Sequence, residues 1–348
     1  MIKELVEQVK LNCDISDAQY WGSFSICGLL LRLRDLYRSE QGLNPWFPIG
    51  SEDISAWLGE KENRWAAFQG RDYIELTIDG KRYDPFDVSV INGIIEERSL
   101  VYGAGYGLYM KPTFFIAQRH SLKKRAGFLI YYSGKEYARD IFASPGMSQG
   151  NRIFLRLDPL RTLLWQKFSE SGEKKLSCLE EAFSRFNLRL GQTSDALLEE
   201  AFEELILGYA DVVLHHELAE AIEDVPKWAE ILIAMEDRAA EYYLRTLKDL
   251  IADTSDHGPL RKLIDSTDRE ILCLFITSIG SYHDKLYPEM KKSWNAFMSN
   301  GDWNVLEETR RLGYVRFISC RERILEAYRI SKNKEEFLLT VRQAMCVP

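Results

Sequence analysis

Apolar side chains recur every three to four residues in some stretches of this 348-residue chain and every two in others, and the two-residue kind stops near residue 165. Ser16 and Gln19 have the spacing of a capping box, which predicts a helix through about Arg38. Gly42, Pro45 and Pro48 break it, and Ile54, Trp57, Leu58 and Trp65 predict an amphipathic helix over Asp53–Phe68. In "YIELTIDGKRYDPF" alternating residues flank Asp79-Gly80, a strong hairpin signal. A short helix over Val88–Glu97 follows, then strands in "LYMKPTFFIAQ", "GFLIYYSG" and "RIFLRLDPL", the last leading into a helix at Leu160–Phe168. Between the last two strands, the stretch from Lys135 or Glu136 to Pro145-Gly146 is expected to be helical, with Glu136, Arg139 and Asp140 on a solvated or ion-paired face.

Beyond Gly172 the period stays near 3.6, in Cys178–Leu190, Asp195–Glu223, Lys227–Ile251, Asp268–Tyr282, Pro288–Ser299, Val305–Ile330 and Glu335–Met345. Breaks this short join neighbouring, mostly antiparallel helices. The expected fold class is α+β: a mixed α+β domain with a small antiparallel sheet over residues 1–165, then an all-α helical bundle over residues 166–348.

Charge sharpens that division. Residues 1–165 carry 21 Lys/Arg and 20 Asp/Glu, whereas residues 166–348 carry 24 and 33. An acidic half without a basic patch argues against a duplex nucleic-acid partner, because phosphate binding needs an excess of Lys and Arg. The longest nearly apolar run, Trp21 to Leu31, is too short to span a bilayer, and the charged start MIKELVEQVK has no secretory pattern. Six cysteines at wide spacing, with no CxxC pair, are expected to be reduced thiols in a cytoplasm.

The densest candidate chemistry lies in "DVVLHHELAEAIED", Asp211 to Asp224. Stepping by threes and fours from Leu198 through Phe202, Leu205, Tyr209 and Val212 reaches His216, Glu220 and Glu223, so these polar groups continue an apolar stripe and are expected to be buried. His215 points to another face. Three readings are open, one of them that this end of the helix is simply solvated. His216 and Glu220, at i and i+4, have the spacing to bind a divalent transition metal from one helix, with Glu241 and His283 as further ligands. Alternatively, Arg238, Arg245 and Lys248 of the next helix form a structural cluster that pairs with Glu220 and Glu223 and also satisfies His216, with Arg238 or Arg245 as the expected partner. Neither the HExxH nor the ExxH order is present. A second candidate is "VYGAGYGLYMKP", where Gly103, Gly105 and Gly107 beside Tyr106 and Lys111 would form a loop able to approach an anionic ligand. No nucleophile motif is found.

Residues Asn12–Trp46, together with "YGAGYGLYMKPTFF" and "HHELAEA", resemble an uncharacterised bacterial protein family met mainly in anaerobic sulfate- and metal-reducing bacteria. The resemblance implies a cytoplasmic bacterial protein and brings no activity, cofactor or catalytic residue. Two functions stay open: a binding or regulatory protein with a helical interaction domain, or a metal- or small-molecule-dependent enzyme using the His/Glu cluster.

Overall fold

The computed structural model describes residues 2–174, 177–189, 191 and 194–345, so Leu190 and Cys346 lie outside the described residues. The chain forms two compact units, Met1–Gln166 and Lys167–Pro348, and its fold is α+β.

The first unit contains α1 (Ile2–Tyr20), α2 (Ile26–Gln41), α3 (Ser51–Phe68), β1 (Leu76–Ile78), β2 (Lys81–Tyr83), α4 (Val88–Ile95), β3 (Leu100–Tyr106), β4 (Pro112–Arg125), β5 (Phe128–Arg139), β6 (Gly146–Gln149) and β7 (Arg152–Arg156). Helix α5 (Leu157–Lys174) begins in it. β1 and β2 form the hairpin around Asp79-Gly80, both of which have positive φ as a tight two-residue turn requires. The larger sheet has the order β3-β4-β5-β7-β6, with β5 and β7 parallel and the other pairs antiparallel. Leu5 and Val9 of α1 and Ile91 and Ile95 of α4 pack with Val101, Phe114, Ile116 and Phe154 of the sheet into one core.

Two expectations are corrected here. The helix predicted from Ser16 to Arg38 is two helices. α1 runs past Ser16, whose buried hydroxyl donates to the Pro112 carbonyl and so caps nothing. A separate cap, Ser25, accepts from the Gly28 amide and starts α2. The segment after Lys135 is the end of strand β5, not a helix. Its side chains do alternate, but a charged one faces inward: Glu136 is buried and accepts from Arg156 of β7 at 2.6 Å, so alternation of polarity was hidden.

The second unit contains α6 (Ser177–Arg185), α7 (Asp195–Ile222), α8 (Pro226–Ala234), α9 (Arg238–Thr254), α10 (Pro259–Ser266), α11 (Arg269–Ser278), α12 (Ser281–Leu286), α13 (Pro288–Asn300), α14 (Trp303–Ile330) and α15 (Lys334–Met345). The helix predicted over Lys227–Ile251 is broken at Met235, which is extended, and Asp237 recaps the chain by accepting from the Ala240 amide. Phe202, Leu205 and Ile206 of α7 and Leu244 and Leu247 of α9 are in its core. Cys178 of α6 and Cys273 of α11 are joined in a disulfide, in place of the reduced pair expected. No helix among the described residues is long and apolar enough to cross a membrane.

Candidate metal centre

α7 and α9 each contribute an i,i+4 pair. Going up α7 from His216 to Glu220 corresponds to going down α9 from Asp253 to Asp249, as two antiparallel helices require. His216 donates from Nδ1 to the Asp253 carboxylate at 2.7 Å. Its other nitrogen, Nε2, is 3.8 Å from Glu220 Oε1. One ligand atom each from His216, Glu220 and Asp249 lie within 4.8 Å of one another. Asp249 also faces His283 of α12, with Nε2 at 3.5 Å, and Nδ1 of His283 is buried without a hydrogen-bond partner. Glu220 is engaged on its far side by Lys248, at 3.2 Å.

The electrostatics follow from that packing. Burial pushes the His216 imidazole down, but Asp253, then Glu220 and Asp249, more than reverse this and hold it well above its ordinary range. Burial pushes Glu220 up, while Lys248 and His216 bring it below the usual carboxylate value. Asp249 is raised, first by burial and then by the neighbouring Glu220, against the pull of His283. His283 is lowered by burial and raised on balance by its bond to Asp249. The cluster therefore gathers carboxyl groups that shift both imidazoles toward their protonated forms.

Several residues fall elsewhere than the sequence suggested. His216 is half-buried, its side chain 27 % exposed, whereas His215 is the more buried of the two and donates from Nδ1 to the His257 carbonyl at 3.0 Å. α7 is packed on more than one side at this point, so a single stripe did not separate inside from outside. Glu241 is buried against Arg245 at 2.8 Å, away from the cluster. Glu220 meets Lys248, one of the cations expected, whereas Glu223 meets Arg321 at 3.8 Å and accepts from the Tyr314 hydroxyl at 2.8 Å, in place of Arg238 or Arg245. Sequence reasoning placed Lys248 among the cations able to pair with Glu220 but missed Asp249 and Asp253. Their signal was available: Asp249 and Asp253 repeat the i,i+4 spacing of His216 and Glu220.

The glycine segment is a strand rather than a loop at Gly103 and Gly105, which lie in β3. A Cβ on Gly103 would meet Phe115 Cε1 at 2.1 Å, and one on Gly107 would meet Phe142 Cε1 at 2.8 Å. These glycines make room for aromatic rings of the same unit. Tyr106 stacks on Phe86 with ring centroids 5.2 Å apart. Lys111 is 1 % exposed and points inward. Its ammonium donates to Ser16 Oγ at 2.8 Å and pairs with Asp17 at 3.0 Å and Asp140 at 3.2 Å. Asp140 accepts in addition from the Thr113 hydroxyl and the Phe114 and Phe142 amides, and Asp17 from the Ile141 amide.

Comparison with known proteins finds two adjacent family models. Residues 4–156 match the N-terminal domain, and residues 161–343 the C-terminal domain, of a family of unknown function, DUF6866. No curated protein and no solved structure matches.

Proposed function

The chain belongs to the DUF6866 family of unknown function, and we propose that its helical unit binds one divalent transition metal through His216, Glu220 and Asp249, with His283 as the nearest further ligand. The observation that carries this reading is the orientation of His216. Its Nδ1 is tied to the Asp253 carboxylate while Nε2 opens toward two more carboxylates, the arrangement in which an outer carboxylate orients a metal-ligating imidazole. Ligands about 2.0–2.2 Å from one ion lie roughly 3–3.5 Å apart, so atoms now within 4.8 Å would close by up to about 1.5 Å through side-chain rotation. Binding would displace the proton of His216 and release Glu220 from Lys248. An ion held by α7 and α9 would clamp them, which suits a binding or regulatory protein whose helical surface is set by metal. The partial exposure of His216 also leaves room for a water on the ion, and this supports the alternative of a metal-dependent enzyme.

A competing reading has a specific observation behind it: Lys248 already engages Glu220, so the cluster can serve as a paired charge network without any ion. Cobalt separates the two. Titration of Co2+ into protein purified without tag or chelator is expected to give a visible d–d band at one equivalent. The band should vanish in His216→Gln and Asp249→Asn and persist in Glu241→Gln. A wild-type protein that gives no band and carries no metal on elemental analysis leaves only the charge network.

The bacterial cytoplasm remains the proposed compartment, and the acidic second half supports a protein or small-molecule partner over duplex nucleic acid. The Cys178–Cys273 bond argues for an oxidising compartment instead. Thiol alkylation in intact cells tests this: two trapped thiols support the cytoplasm, and a fully bonded pair opposes it.

A further inference from the structure

Within the first unit, α2, the chain following β5 and the start of α5 enclose a cavity of about 310 Å³. Leu31, Pro159 and Leu163 supply apolar wall, and Arg32, Arg139 and Thr162 supply polar groups. The unusual member is Arg32. Its guanidinium is clamped between two rings, 4.8 Å from the centroid of Phe24 and 5.5 Å from that of Phe142. Among the described residues its one hydrogen bond is a long one, to the Ile141 carbonyl at 3.4 Å.

The two carboxylates that share the cavity do not neutralise it. Asp140 spends its oxygens on Thr113, Phe114, Phe142 and Lys111. Asp35 accepts from Gln166 at 3.1 Å and lies 3.7 Å from Arg38. Burial lowers the pKa of Arg32, and Asp140 and Asp35 only partly restore it. A guanidinium cannot escape by losing its proton, so a largely desolvated one without a paired carboxylate is an anion site in waiting. Arg139 stands beside it, 6 % exposed. It donates to the Asp35 carbonyl at 2.8 Å, and its Nε lies 3.8 Å from Glu136 Oε2, an ion pair without a hydrogen bond.

We propose that this cavity binds a small organic carboxylate, with Arg32 as the anchor, Arg139 as the flanking cation and the Leu31–Pro159–Leu163 wall against the apolar body of the ligand. Three features select this class. The fork of a guanidinium matches a carboxylate. The walls are largely apolar and the volume is at the small end for ligand pockets. Asp35 and Asp140, with their oxygens engaged elsewhere, would repel a second negative charge, which disfavours a phosphate dianion. The proposal does not depend on the metal reading of the helical unit.

The test uses the full-length protein with benzoate, its neutral isostere benzamide, and inorganic phosphate, at constant ionic strength, by calorimetry and by ligand-observed NMR. Benzoate is expected to bind the wild type. Benzamide and phosphate are expected to bind at least tenfold more weakly. Arg32→Gln should weaken benzoate at least tenfold while leaving benzamide unchanged. Leu163→Phe fills the cavity from its apolar side and keeps the guanidinium, so it should also block benzoate; it carries the test if Arg32→Gln does not fold, as judged by circular dichroism. Absence of benzoate binding to the wild type overturns the proposal. So does benzamide or phosphate binding as tightly as benzoate, or a folded variant of either kind that binds benzoate like the wild type.

Discussion

Two charged clusters in this chain use the same residue types to opposite ends. Around Lys111, one ammonium lies between Asp17 and Asp140, all three side chains are at most 2 % exposed, and backbone amides or hydroxyls fill the remaining carboxylate positions. Around His216, the side chains are 10–27 % exposed at His216, Glu220 and Asp253, carboxylates gather on one side, and a buried imidazole nitrogen of His283 has no partner. The first is closed and saturated, and there is nothing left for a ligand to satisfy. The second is half-open and has lone pairs and a nitrogen still to be used. Burial by itself does not mark a functional site; unmet hydrogen-bonding capacity within reach of solvent does.

The comparison breaks most visibly at Lys111. Lys111→Met leaves two buried carboxylates around an apolar side chain, and denaturant unfolding should show a loss of about 3–5 kcal/mol. A loss below about 1 kcal/mol would mean that water reaches the cluster and that it is not closed. The second unit should respond to metal where the first does not. A divalent metal at about 100 times its Kd should add about 2.7 kcal/mol to the stability of the wild type and nothing to Asp249→Asn. Equal stabilisation of both proteins would remove the distinction between the clusters.

A smaller effect concerns Asp17. Burial raises its carboxyl, Lys111 draws it back and Asp140 raises it again, leaving it at about 7. A carboxyl raised on folding contributes stability that is present below its unfolded pKa, about 3.9, and is lost as pH rises through 7. Asp17→Asn, which can still accept from the Ile141 amide, is therefore expected to gain on the wild type between pH 5 and pH 8, by roughly 2.5 kcal/mol. A constant difference between the two proteins across that range would show that Asp17 is already ionised throughout. The smallest effect is expected at Lys248, whose side chain is 31 % exposed. Lys248→Met should cost less than about 1 kcal/mol and should tighten metal binding, since Glu220 is released. Weaker metal binding in that variant would favour the charge network over the ion.

Local pattern determined much of this protein from sequence alone. The Asp79-Gly80 hairpin, the helices over 53–68 and 195–223, the change from mixed α+β to helical and the i,i+4 relation of His216 and Glu220 all follow from backbone preference and side-chain period, which act within a few residues. Tertiary structure decided where polarity is buried. Ser16 was expected to cap a helix, yet it and its neighbours Asp14 and Asp17 are in the interior, where Lys111 and Lys61, 94 and 47 positions away from Asp17 and Asp14, supply the counter-charges. Glu136, expected on a helix face, is buried in β5 for the same reason, with Arg156 as partner. The candidate site divides along the same line. One helix announced His216 and Glu220, but Asp249, Asp253 and His283 join them only through the packing of α7 against α9 and α12. A charge is placed by the partner that repays its desolvation, and that partner lies far off in sequence.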